Sequence, residues 1–415
     1  MDTLIIHGAK PLQGQVKVSG SKNATLPIMA ASLLSSGEVI LSGVPDLDDI
    51  TVMAEVLRTL GATVGREGDT MVINASSINS IEVPENITRR MRASNLVMGA
   101  LLARFSQARV AYPGGCAIGS RPMDLHLKGF RNLGYEIDEE FGFMEGKAGQ
   151  LAGNEILLDF PSVGATENIM MAASLTPGVT IIRNAAREPE IVDLQNFLNR
   201  MGAKIRGAGL DTIRIEGVKR LDGVEHTVIP DRIEAGTFMV AAAISRGDVW
   251  LDNVVPEHIQ PLIAKLREIG MEITAWNSGI RIMGGDSLRP ADLKTMPYPG
   301  FPTDMQAQMM TLLATISGTS MIVETIFENR FMHVQELRRM GADIKIEGRV
   351  AIVKGRKKLQ GSSVEATDLR AGAALILAGL YAEGETSISR IEHIDRGYDK
   401  IHHKLLEIGA DITRR

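Results

Sequence analysis

The sequence is poor in the residues that build metal centres and disulfides. It contains one cysteine, Cys116, in 415 residues. A single thiol excludes an internal disulfide and any metal site made of several thiolates from one chain. Its eight histidines show no metal-binding spacing, and His402 and His403 are simply adjacent. We therefore expect no metal site.

Long hydrophobic runs and excess positive charge are also missing. The longest apolar run, residues 371–380, falls well short of the roughly 20 residues that a membrane helix needs. The N-terminal residues contain no basic leader, so we expect a cytoplasmic protein. A net charge of -5 gives no general attraction for nucleic acid or for anionic membranes. Its partners should be small molecules, with no nucleic acid and no membrane.

Neither of the two common phosphate-binding loops is present in the sequence. There is no G-x-x-x-x-G-K-[ST] segment and no dinucleotide-binding glycine fingerprint. Hydrophobic residues make up 44% of the chain and charged residues 23%, an ordinary globular composition. The length predicts two domains, or three. Any anion must then be held by helix ends and by individual cations.

One short phrase occurs six times along the chain: the apolar end of a helix, a glycine, then a strand. Its glycines are Gly61, Gly134, Gly202, Gly270, Gly341 and Gly409, separated by 73, 68, 68, 71 and 68 residues. A glycine just after a helix adopts the left-handed backbone that side chains disfavour, so this phrase is structural. Before each phrase the sequence predicts an apolar, buried helix, at 24–34, 93–103, 168–175, 235–244, 305–316 and 371–380.

The repeat predicts an α/β fold with six units of about 70 residues, grouped by threes into two domains. Three inner helices per domain would be buried with sheets packed outside them. We place domain I at 20–229 and a discontinuous domain II at 1–19 and 230–415. The last unit lacks its final strand, and the N-terminal segment is expected to supply it.

Six cations occupy positions at which the equivalent residues of the other repeats are chemically different. The fold itself therefore does not require a cation at these positions. Three lie at the starts of buried helices, where a positive charge opposes the helix dipole unless an anion intervenes. Three more stand where surface helices begin. The six are Lys22, Arg92, Arg370, Arg121, Arg330 and Arg396. A solvated surface charge is the ordinary alternative for each, but the set indicates phosphate and carboxylate recognition.

Cys116 lies in a segment rich in glycine and proline, residues 112–122, which predicts an exposed, mobile loop. Nearby Arg121 favours the reactive thiolate. The thiol could serve as an acid, as a nucleophile or as the site of an adduct. An inert, buried cysteine is the ordinary alternative.

Several long motifs occur in order: GSKNATLP from Gly20, MRAS from Met91, PGGCAIGSRPMDLH from Pro113, SVGAT from Ser162, FPTDMQAQ from Phe301 and FENRFMH from Phe327. With these motifs the whole chain resembles the UDP-N-acetylglucosamine 1-carboxyvinyltransferases, the enolpyruvyl transferases of peptidoglycan synthesis. The resemblance implies an inside-out α/β barrel fold with two domains that close on substrate. It implies transfer of enolpyruvate from phosphoenolpyruvate to the 3′-hydroxyl of UDP-N-acetylglucosamine with release of phosphate, without a cofactor.

The resemblance also implies residue roles. Cys116 would be the general acid, and Asp304 would accept the proton of the sugar hydroxyl or orient that hydroxyl. Phosphoenolpyruvate would be held by Lys22, Arg121 and Arg396, with Arg370 near its carboxylate and Asn23 beside the reacting groups. The pocket for the uridine nucleotide would be lined by Arg92, Arg121, Pro122, Met123, Asp124, Leu125, Ser162, Val163, Gly164 and Ile326. Asp368 and Arg330 would complete the site. Phe160 departs from the family pattern, where some members carry lysine.

Other functions fit parts of the sequence. A shikimate-pathway enolpyruvyl transferase shares the fold and the donor, but it lacks the Pro-Gly-Gly-Cys loop and the Ser-Lys-Asn-Ala phrase. A regulatory paralogue that binds nucleotide sugar without catalysis would not need Lys22, Cys116, Asp304 and Arg396 intact. A structural scaffold explains the repeat but leaves the six cations unexplained.

Overall fold

The computed structural model describes residues 2–113, 118–119, 122–285, 287–356 and 358–415. Cys116 and Arg121 lie outside the described residues. The chain divides into two compact units. The first unit contains the described residues of 20–113 and 122–229, and the second contains those of 2–19, 118–119 and 230–415.

The secondary structure follows the helix and strand order of the repeat. The strands are β1 (Leu4–His7), β2 (Gln13–Lys17), β3 (Glu38–Ser42), β4 (Thr63–Glu67), β5 (Thr70–Asn74), β6 (Glu82–Val83), β7 (Gln107–Ala111), β8 (Tyr135–Glu140), β9 (Phe143–Ala148), β10 (Glu155–Leu157), β11 (Val179–Arg183), β12 (Lys204–Arg206), β13 (Thr212–Glu216), β14 (Glu225–Thr227), β15 (Asp248–Asp252), β16 (Glu272–Trp276), β17 (Gly279–Met283), β18 (Leu293–Lys294), β19 (Gly318–Val323), β20 (Asp343–Glu347), β21 (Val350–Gly355), β22 (Ser363–Glu365), β23 (Glu385–Ser389) and β24 (Asp411–Arg414).

The helices alternate with these strands. They are α1 (Lys22–Ala31), α2 (Asp48–Thr59), α3 (Glu85–Thr88), α4 (Val97–Phe105), α5 (Asp124–Asn132), α6 (Val163–Leu175), α7 (Pro189–Arg200), α8 (Arg232–Ser245), α9 (Gln260–Ile269), α10 (Gln306–Thr315), α11 (Val334–Arg339), α12 (Leu369–Tyr381), α13 (Glu392–Asp395) and α14 (Ile401–Glu407). Short 3₁₀ helices occur at Ser32–Leu34, Arg92–Leu96, Pro256–Ile259 and Thr303–Met305.

The described part of each unit contains three four-stranded sheets. Their orders are β14-β3-β5-β4, β6-β7-β9-β8 and β10-β11-β13-β12 in the first unit, and β16-β17-β15-β2, β18-β19-β21-β20 and β22-β23-β1-β24 in the second. In every sheet one outer strand runs parallel to its neighbour, and the remaining pairs are antiparallel. The predicted six-fold repeat is confirmed.

The N-terminal strand completes the last repeat. β1 lies between β23 and β24, and Leu4 stands opposite Ile388 on one side and Arg414 on the other. Its place is the one that the final strand of a unit occupies in the other sheets. The expectation drawn from the incomplete last unit is therefore correct.

The inner helices are buried almost all round, as their composition predicts. α1, α4 and α6 belong to the core of the first unit, and α8, α10 and α12 belong to a separate core in the second. Sheet strands such as β3 alternate between buried and more exposed residues. Each unit therefore has helices inside and sheets outside, an inside-out α/β arrangement.

The packing of α4 on α6 requires glycine at one position. A Cβ atom at Gly99 would lie 2.4 Å from the backbone oxygen of Asn168. Instead, the Gly99 amide donates a 2.9 Å hydrogen bond to the Asn168 side-chain oxygen. The two helices can approach this closely because residue 99 has no side chain.

Of the inner helices, α6 and α8 begin the furthest ahead of their predicted starts. α6 begins at Val163 and α8 at Arg232, before the apolar runs that predicted them. Ser162 and Asp231 cap these helices, and the Asp231 carboxylate accepts hydrogen bonds of 2.8 and 3.0 Å from backbone amides. A first turn held by a polar cap needs no apolar side chains, so hydrophobicity alone misses it.

Six glycines after the surface helices have the predicted left-handed backbone. Their φ angles lie between +92° and +114°.

Among the described residues, no helix is both long enough and apolar enough to span a membrane.

A buried hydrogen bond between a histidine and an aspartate holds β14 against α7 in the first unit. His226, in β14, lies 2.9 Å through Nε2 from the Asp193 carboxylate of α7, and both side chains are buried. The second Asp193 oxygen accepts a 3.3 Å hydrogen bond from the Ile229 amide. The Asp193→Ala variant leaves the buried His226 imidazole and the Ile229 amide without this acceptor, so we expect the free energy of unfolding to fall by about 3 kcal/mol.

Urea unfolding measures this loss. As a control, Asp222→Ala removes an exposed carboxylate 3.7 Å from Arg220 and should change stability by less than about 0.5 kcal/mol. Equal midpoints for Asp193→Ala and the control would contradict the role given to the buried pair.

Candidate functional site

In the second unit, one aspartate lies between two buried arginines. The Asp304 carboxylate accepts hydrogen bonds from Arg330 Nη2 at 2.8 Å and from Arg370 Nη2 at 3.0 Å. The arginine side chains are 4% exposed, whereas that of Asp304 is 27% exposed. The carboxylate is thus the most accessible group of the three, and the two guanidinium groups favour its ionised form.

Local structure brings these three side chains together. Asp304 lies in the 3₁₀ turn that precedes α10, and Arg370 is the second residue of α12. The carboxylate of Asp368 caps α12 by accepting hydrogen bonds from the Arg370 and Ala371 amides at 2.9 and 3.1 Å. This cap compensates the positive end of the helix dipole where Arg370 stands.

The buried carboxylate of Glu324 links segments on either side of Asp304 by hydrogen bonds. Glu324, 1% exposed, accepts hydrogen bonds from the Thr295 and Thr303 hydroxyls, both at 2.9 Å. It also accepts backbone hydrogen bonds from Ile326 at 2.8 Å and Phe327 at 3.2 Å. One carboxylate therefore ties the loop after β19 to the residue that precedes Asp304.

Several buried donors around Asp304 have no acceptor among the described residues. They are Nε of Arg330 and both Nε and Nη1 of Arg370. Burial opposes the charge of Arg370, but the Asp304 carboxylate raises its pKa above that of a free guanidinium, so the group stays cationic. Buried donors that lack a protein acceptor are well suited to bind an anionic ligand.

His333 lies beside this cluster as a neutral imidazole. Burial, together with the positive charge of Arg330, lowers its pKa to about 4, although the nearby Asp368 carboxylate opposes the shift. Its Nε2 atom has no hydrogen-bond partner among the described residues. Near neutral pH the cluster therefore carries no histidine cation.

In the first unit, Lys22 is the first residue of α1 and is 6% exposed. Its ammonium group lies 3.1 Å from the carboxylate of Asp49, which α2 supplies. The anion that a cation at a helix N-terminus requires is thus provided, at least in part, by the protein itself.

A second cluster in the first unit surrounds His126. Burial, followed by the charge of Arg92, lowers the pKa of His126 to about 3, so the ring is neutral. Its Nδ1 atom accepts a 2.9 Å hydrogen bond from the Asn168 amide nitrogen, which leaves the proton on Nε2. A Cβ at Gly164 would lie 3.2 Å from the His126 ring. The start of α6 therefore passes directly over this imidazole.

The comparisons with known proteins agree with this architecture. Residues 6–405 match the family model described as EPSP synthase (3-phosphoshikimate 1-carboxyvinyltransferase). The chain is 58% identical over 411 residues to UDP-N-acetylglucosamine 1-carboxyvinyltransferase 1 of Caldanaerobacter subterraneus subsp. tengcongensis, covering 99% of each chain. It is also 58% identical over 416 residues to UDP-N-acetylglucosamine 1-carboxyvinyltransferase 2 of Carboxydothermus hydrogenoformans, covering 100% of this chain and 99% of that one.

The chain belongs to the UDP-N-acetylglucosamine 1-carboxyvinyltransferase family. The family resemblance predicted from the motifs is therefore correct. Solved structures agree on the fold. The enolpyruvyl transferase NikO from Streptomyces tendae superposes with a TM-score of 0.89 at 26% identity, covering 100% of this chain and 98% of that one. EPSP synthase from Acinetobacter baumannii gives 0.78 at 20% identity, with 100% and 99% covered.

The structure brings some of the residues predicted from the family together. Asp304, Arg330 and Arg370 are in contact, and Asp368 caps the helix that carries Arg370. In the first unit, Arg92 Nη2 lies 3.9 Å from the sulfur of Met123.

The remaining predicted residues lie at element ends. Asn23 follows Lys22 in α1, and Ser162 caps α6, which begins with Val163 and Gly164. Pro122 and Asp124 are exposed at the start of α5, and Leu125 is half-buried. Ile326 is half-buried in the loop that Glu324 braces, and Arg396 is half-buried at the end of α13.

Sequence reasoning missed Asp49, Glu324, His126 and His333. His126 ends the PGGCAIGSRPMDLH motif and His333 ends the FENRFMH motif. An imidazole inside a family motif is the signal in the sequence that points to each of them. Asp49 lies in a surface helix and Glu324 follows a strand, which are ordinary places for carboxylates. Only the fold shows that both are buried. Across the described ranges, no group of three or more histidine, cysteine or acidic side chains is arranged to hold a metal ion.

The second unit also contains a buried carboxyl group that should make stability depend on pH. Burial raises the pKa of Glu234 to about 7 from an ordinary 4.5, although Lys404 in contact with it acts in the opposite direction. The folded protein holds this proton where the unfolded chain has released it. The contribution of Glu234 to the free energy of unfolding should therefore fall between pH 4.5 and pH 7.

The Glu234→Gln variant cannot titrate at this position. We expect the wild type to lose up to about 1.4 kcal/mol per pH unit relative to the variant in that window. Urea unfolding at pH 5, 6, 7 and 8 measures the difference, and Glu407→Gln, at an exposed position, serves as the control. Parallel pH curves for wild type and Glu234→Gln would contradict the prediction.

Proposed function

We propose that this protein transfers the enolpyruvyl group of phosphoenolpyruvate to the 3′-hydroxyl of UDP-N-acetylglucosamine and releases phosphate. The observation that carries the proposal is an accessible carboxylate, Asp304, held between two buried arginines with unsatisfied donors. It occurs in a chain that is 58% identical to proteins named for this reaction. The expected products are UDP-N-acetylglucosamine enolpyruvate and phosphate.

The reaction proposed is an addition followed by an elimination. A general acid protonates the methylene carbon of phosphoenolpyruvate, which leaves oxocarbenium character on the neighbouring carbon. The sugar hydroxyl attacks that carbon and loses its proton, forming a tetrahedral intermediate. Loss of a proton from the methyl group formed in the first step, with departure of phosphate, then restores the double bond. General acid and general base each contribute about 10²–10⁴ in rate.

In the second unit, we assign Asp304 to the attacking hydroxyl. Two guanidinium groups stabilise its negative charge and so weaken it as a base, which favours orientation of the hydroxyl in the ground state. Arg370 has two buried donor atoms left for the carboxylate of phosphoenolpyruvate. Arg330 and Asp368 hold this arrangement, and Arg396 is assigned to the phosphate.

In the first unit, we assign Lys22 and Arg121 to phosphoenolpyruvate, with Asn23 beside the reacting groups. Lys22 is a compact cation at a helix N-terminus, where backbone amides also favour an anion. Cys116 is assigned as the general acid. A proton donor is needed at the methylene carbon, and a thiol can also form an adduct at the enol carbon.

The nucleotide sugar is assigned to residues at the starts of α5 and α6. Arg92 supplies positive charge, and Ser162, Val163 and Gly164 present the N-terminal turn of α6, a favourable place for diphosphate oxygens. The neutral His126 lies under this turn with a proton on Nε2, a donor that sequence reasoning did not include. Pro122, Met123, Asp124, Leu125 and Ile326 complete the assignment.

This reaction would be the first committed step of peptidoglycan synthesis. Its substrates are small, anionic and water-soluble, so the proposed setting is the cytoplasm, with no nucleic acid and no membrane partner. Loss of the activity would stop cell-wall growth, and with it the maintenance of cell shape and division.

Release of phosphate from phosphoenolpyruvate tests the proposal. Wild type and Cys116→Ala are assayed with UDP-N-acetylglucosamine, with shikimate 3-phosphate and with neither acceptor. We expect release that requires the nucleotide sugar and is lost in the variant. Release with shikimate 3-phosphate would assign the chain to the other pathway. Nucleotide-sugar binding without release would indicate a regulatory paralogue.

A further inference from the structure

A directed chain of hydrogen bonds runs through the core of the second unit toward Arg370. The Thr237 hydroxyl donates to the Ile233 carbonyl at 2.9 Å, so its oxygen can only accept from the Tyr398 hydroxyl at 3.0 Å. The Tyr398 oxygen in turn accepts from the Gln308 amide nitrogen at 3.1 Å. These contacts give a chain that runs from Gln308 through Tyr398 and Thr237 to Ile233.

The same amide connects this chain to the predicted catalytic carboxylate. Gln308 Nε2 donates to the backbone carbonyl of Asp304 at 2.8 Å. The same nitrogen lies 3.1 Å from the Tyr398 oxygen and 3.3 Å from the Thr237 hydroxyl oxygen, so its second hydrogen faces both hydroxyl groups. Exchanging nitrogen and oxygen would set the amide oxygen against the Asp304 carbonyl, so the assigned orientation is the one that the network requires.

Tyr398 also faces Arg370. Its side chain is 2% exposed, and its ring centre lies 5.4 Å from the guanidinium carbon of Arg370. Since the hydroxyl proton is committed to Thr237, the electron-rich oxygen and ring face are what remain for the cation. Tyr398 thus contacts, directly or through Gln308, both members of the Asp304–Arg370 pair.

We propose that Tyr398 is a positioning residue that fixes the Arg370 guanidinium for the carboxylate of the substrate, with Gln308 and Thr237 holding its hydroxyl. The inference depends on the proposed function, because it concerns how that site binds phosphoenolpyruvate. Three inner helices meet at this network through Thr237 of α8, Gln308 of α10 and Arg370 of α12. The orientation of Arg370 therefore depends on the packing of all three helices.

The Tyr398→Phe variant tests this role. It keeps the ring but removes one acceptor of Gln308 and the hydroxyl that contacts Thr237. We expect KM for phosphoenolpyruvate to rise about tenfold, the effect of one lost hydrogen bond near a charged group. KM for UDP-N-acetylglucosamine should change less than about twofold, a split that a general loss of folding would not produce.

Matched variants separate positioning from bulk stability. Thr237→Val breaks the hydrogen-bond chain one step further from Arg370 and should also raise KM for phosphoenolpyruvate. Thr237→Ser keeps a hydroxyl and should give the wild-type KM. Tyr135→Phe deletes a buried hydroxyl in the first unit and should leave KM for phosphoenolpyruvate unchanged. Thermal unfolding of each variant checks that the protein is folded.

A double-mutant cycle gives the decisive outcome. Tyr398→Phe should be strongly non-additive with Arg370→Lys and nearly additive with Arg330→Lys, because only Arg370 faces the tyrosine. If the wild type is active but Tyr398→Phe leaves KM for phosphoenolpyruvate unchanged, or is additive with Arg370→Lys, the positioning role is wrong. If the wild type is inactive with every acceptor, the proposed function itself fails, and this inference fails with it.

Discussion

Replacing Asp304 with asparagine is expected to lower kcat about 10²–10⁴-fold. Asparagine keeps the shape of the side chain, but it cannot accept a proton or hold two guanidinium groups by charge. Arg330 and Arg370 then lose their shared counterion, which now contacts them at 2.8 and 3.0 Å. KM for phosphoenolpyruvate should stay equal or fall, because both cations become more available to an anionic substrate. Steady-state rates at saturating nucleotide sugar measure both constants.

The pH profile of the same variant separates the two roles considered for Asp304. If the carboxylate accepts the proton, the acidic limb of the kcat profile disappears in Asp304→Asn. If it only orients the hydroxyl, the limb persists at a lower rate. Asp248→Asn is the matched control, because Asp248 binds Arg281 at 2.7 and 2.9 Å on an outer sheet of the same unit. A kcat within threefold of wild type would remove Asp304 from the catalytic machinery.

The Lys22→Gln variant is expected to lower kcat/KM for phosphoenolpyruvate by about 10³-fold. A unit charge pair at 4 Å is worth roughly 4 kcal/mol before desolvation at an effective dielectric near 20. The variant should also be less stable, since Asp49 is left buried without the ammonium group that now lies 3.1 Å away. Activity and urea unfolding are measured on the same preparations.

A second substitution separates these two effects. The Lys22→Gln/Asp49→Asn double variant removes the uncompensated carboxylate and should recover most of the lost stability. It should not recover activity if Lys22 contacts substrate. Recovery of both would mean that Lys22 acts only as the structural partner of Asp49.

The elements best predicted from sequence are those that local chemistry specifies. The glycines after the surface helices adopt positive φ, a backbone conformation that glycine reaches without the steric cost of a side chain. The inner helices were found from their all-round apolar composition. Their starts were placed less well, since Ser162 and Asp231 begin α6 and α8 with a polar cap.

The site was predicted less completely than the fold. The unfavourable position of a cation at a helix N-terminus predicts Lys22 and Arg370 as ligand-binding residues. In the structure, Asp49 and Asp304 supply carboxylates to these cations from other segments of the chain. Ion pairs between distant segments leave no trace in local spacing, so the partners could not be read from the sequence.

By itself, the sequence determined the six-unit α/β repeat, the family and the candidate cations, because helix periodicity, glycine caps and long motifs are properties of contiguous residues. Only the tertiary structure decided which groups are buried and what they contact. It set Asp304 between two arginines, braced its loop with Glu324 and directed the Tyr398 hydrogen-bond chain toward Arg370. Burial and partner choice depend on segments far apart in the chain, and folding alone brings those segments together.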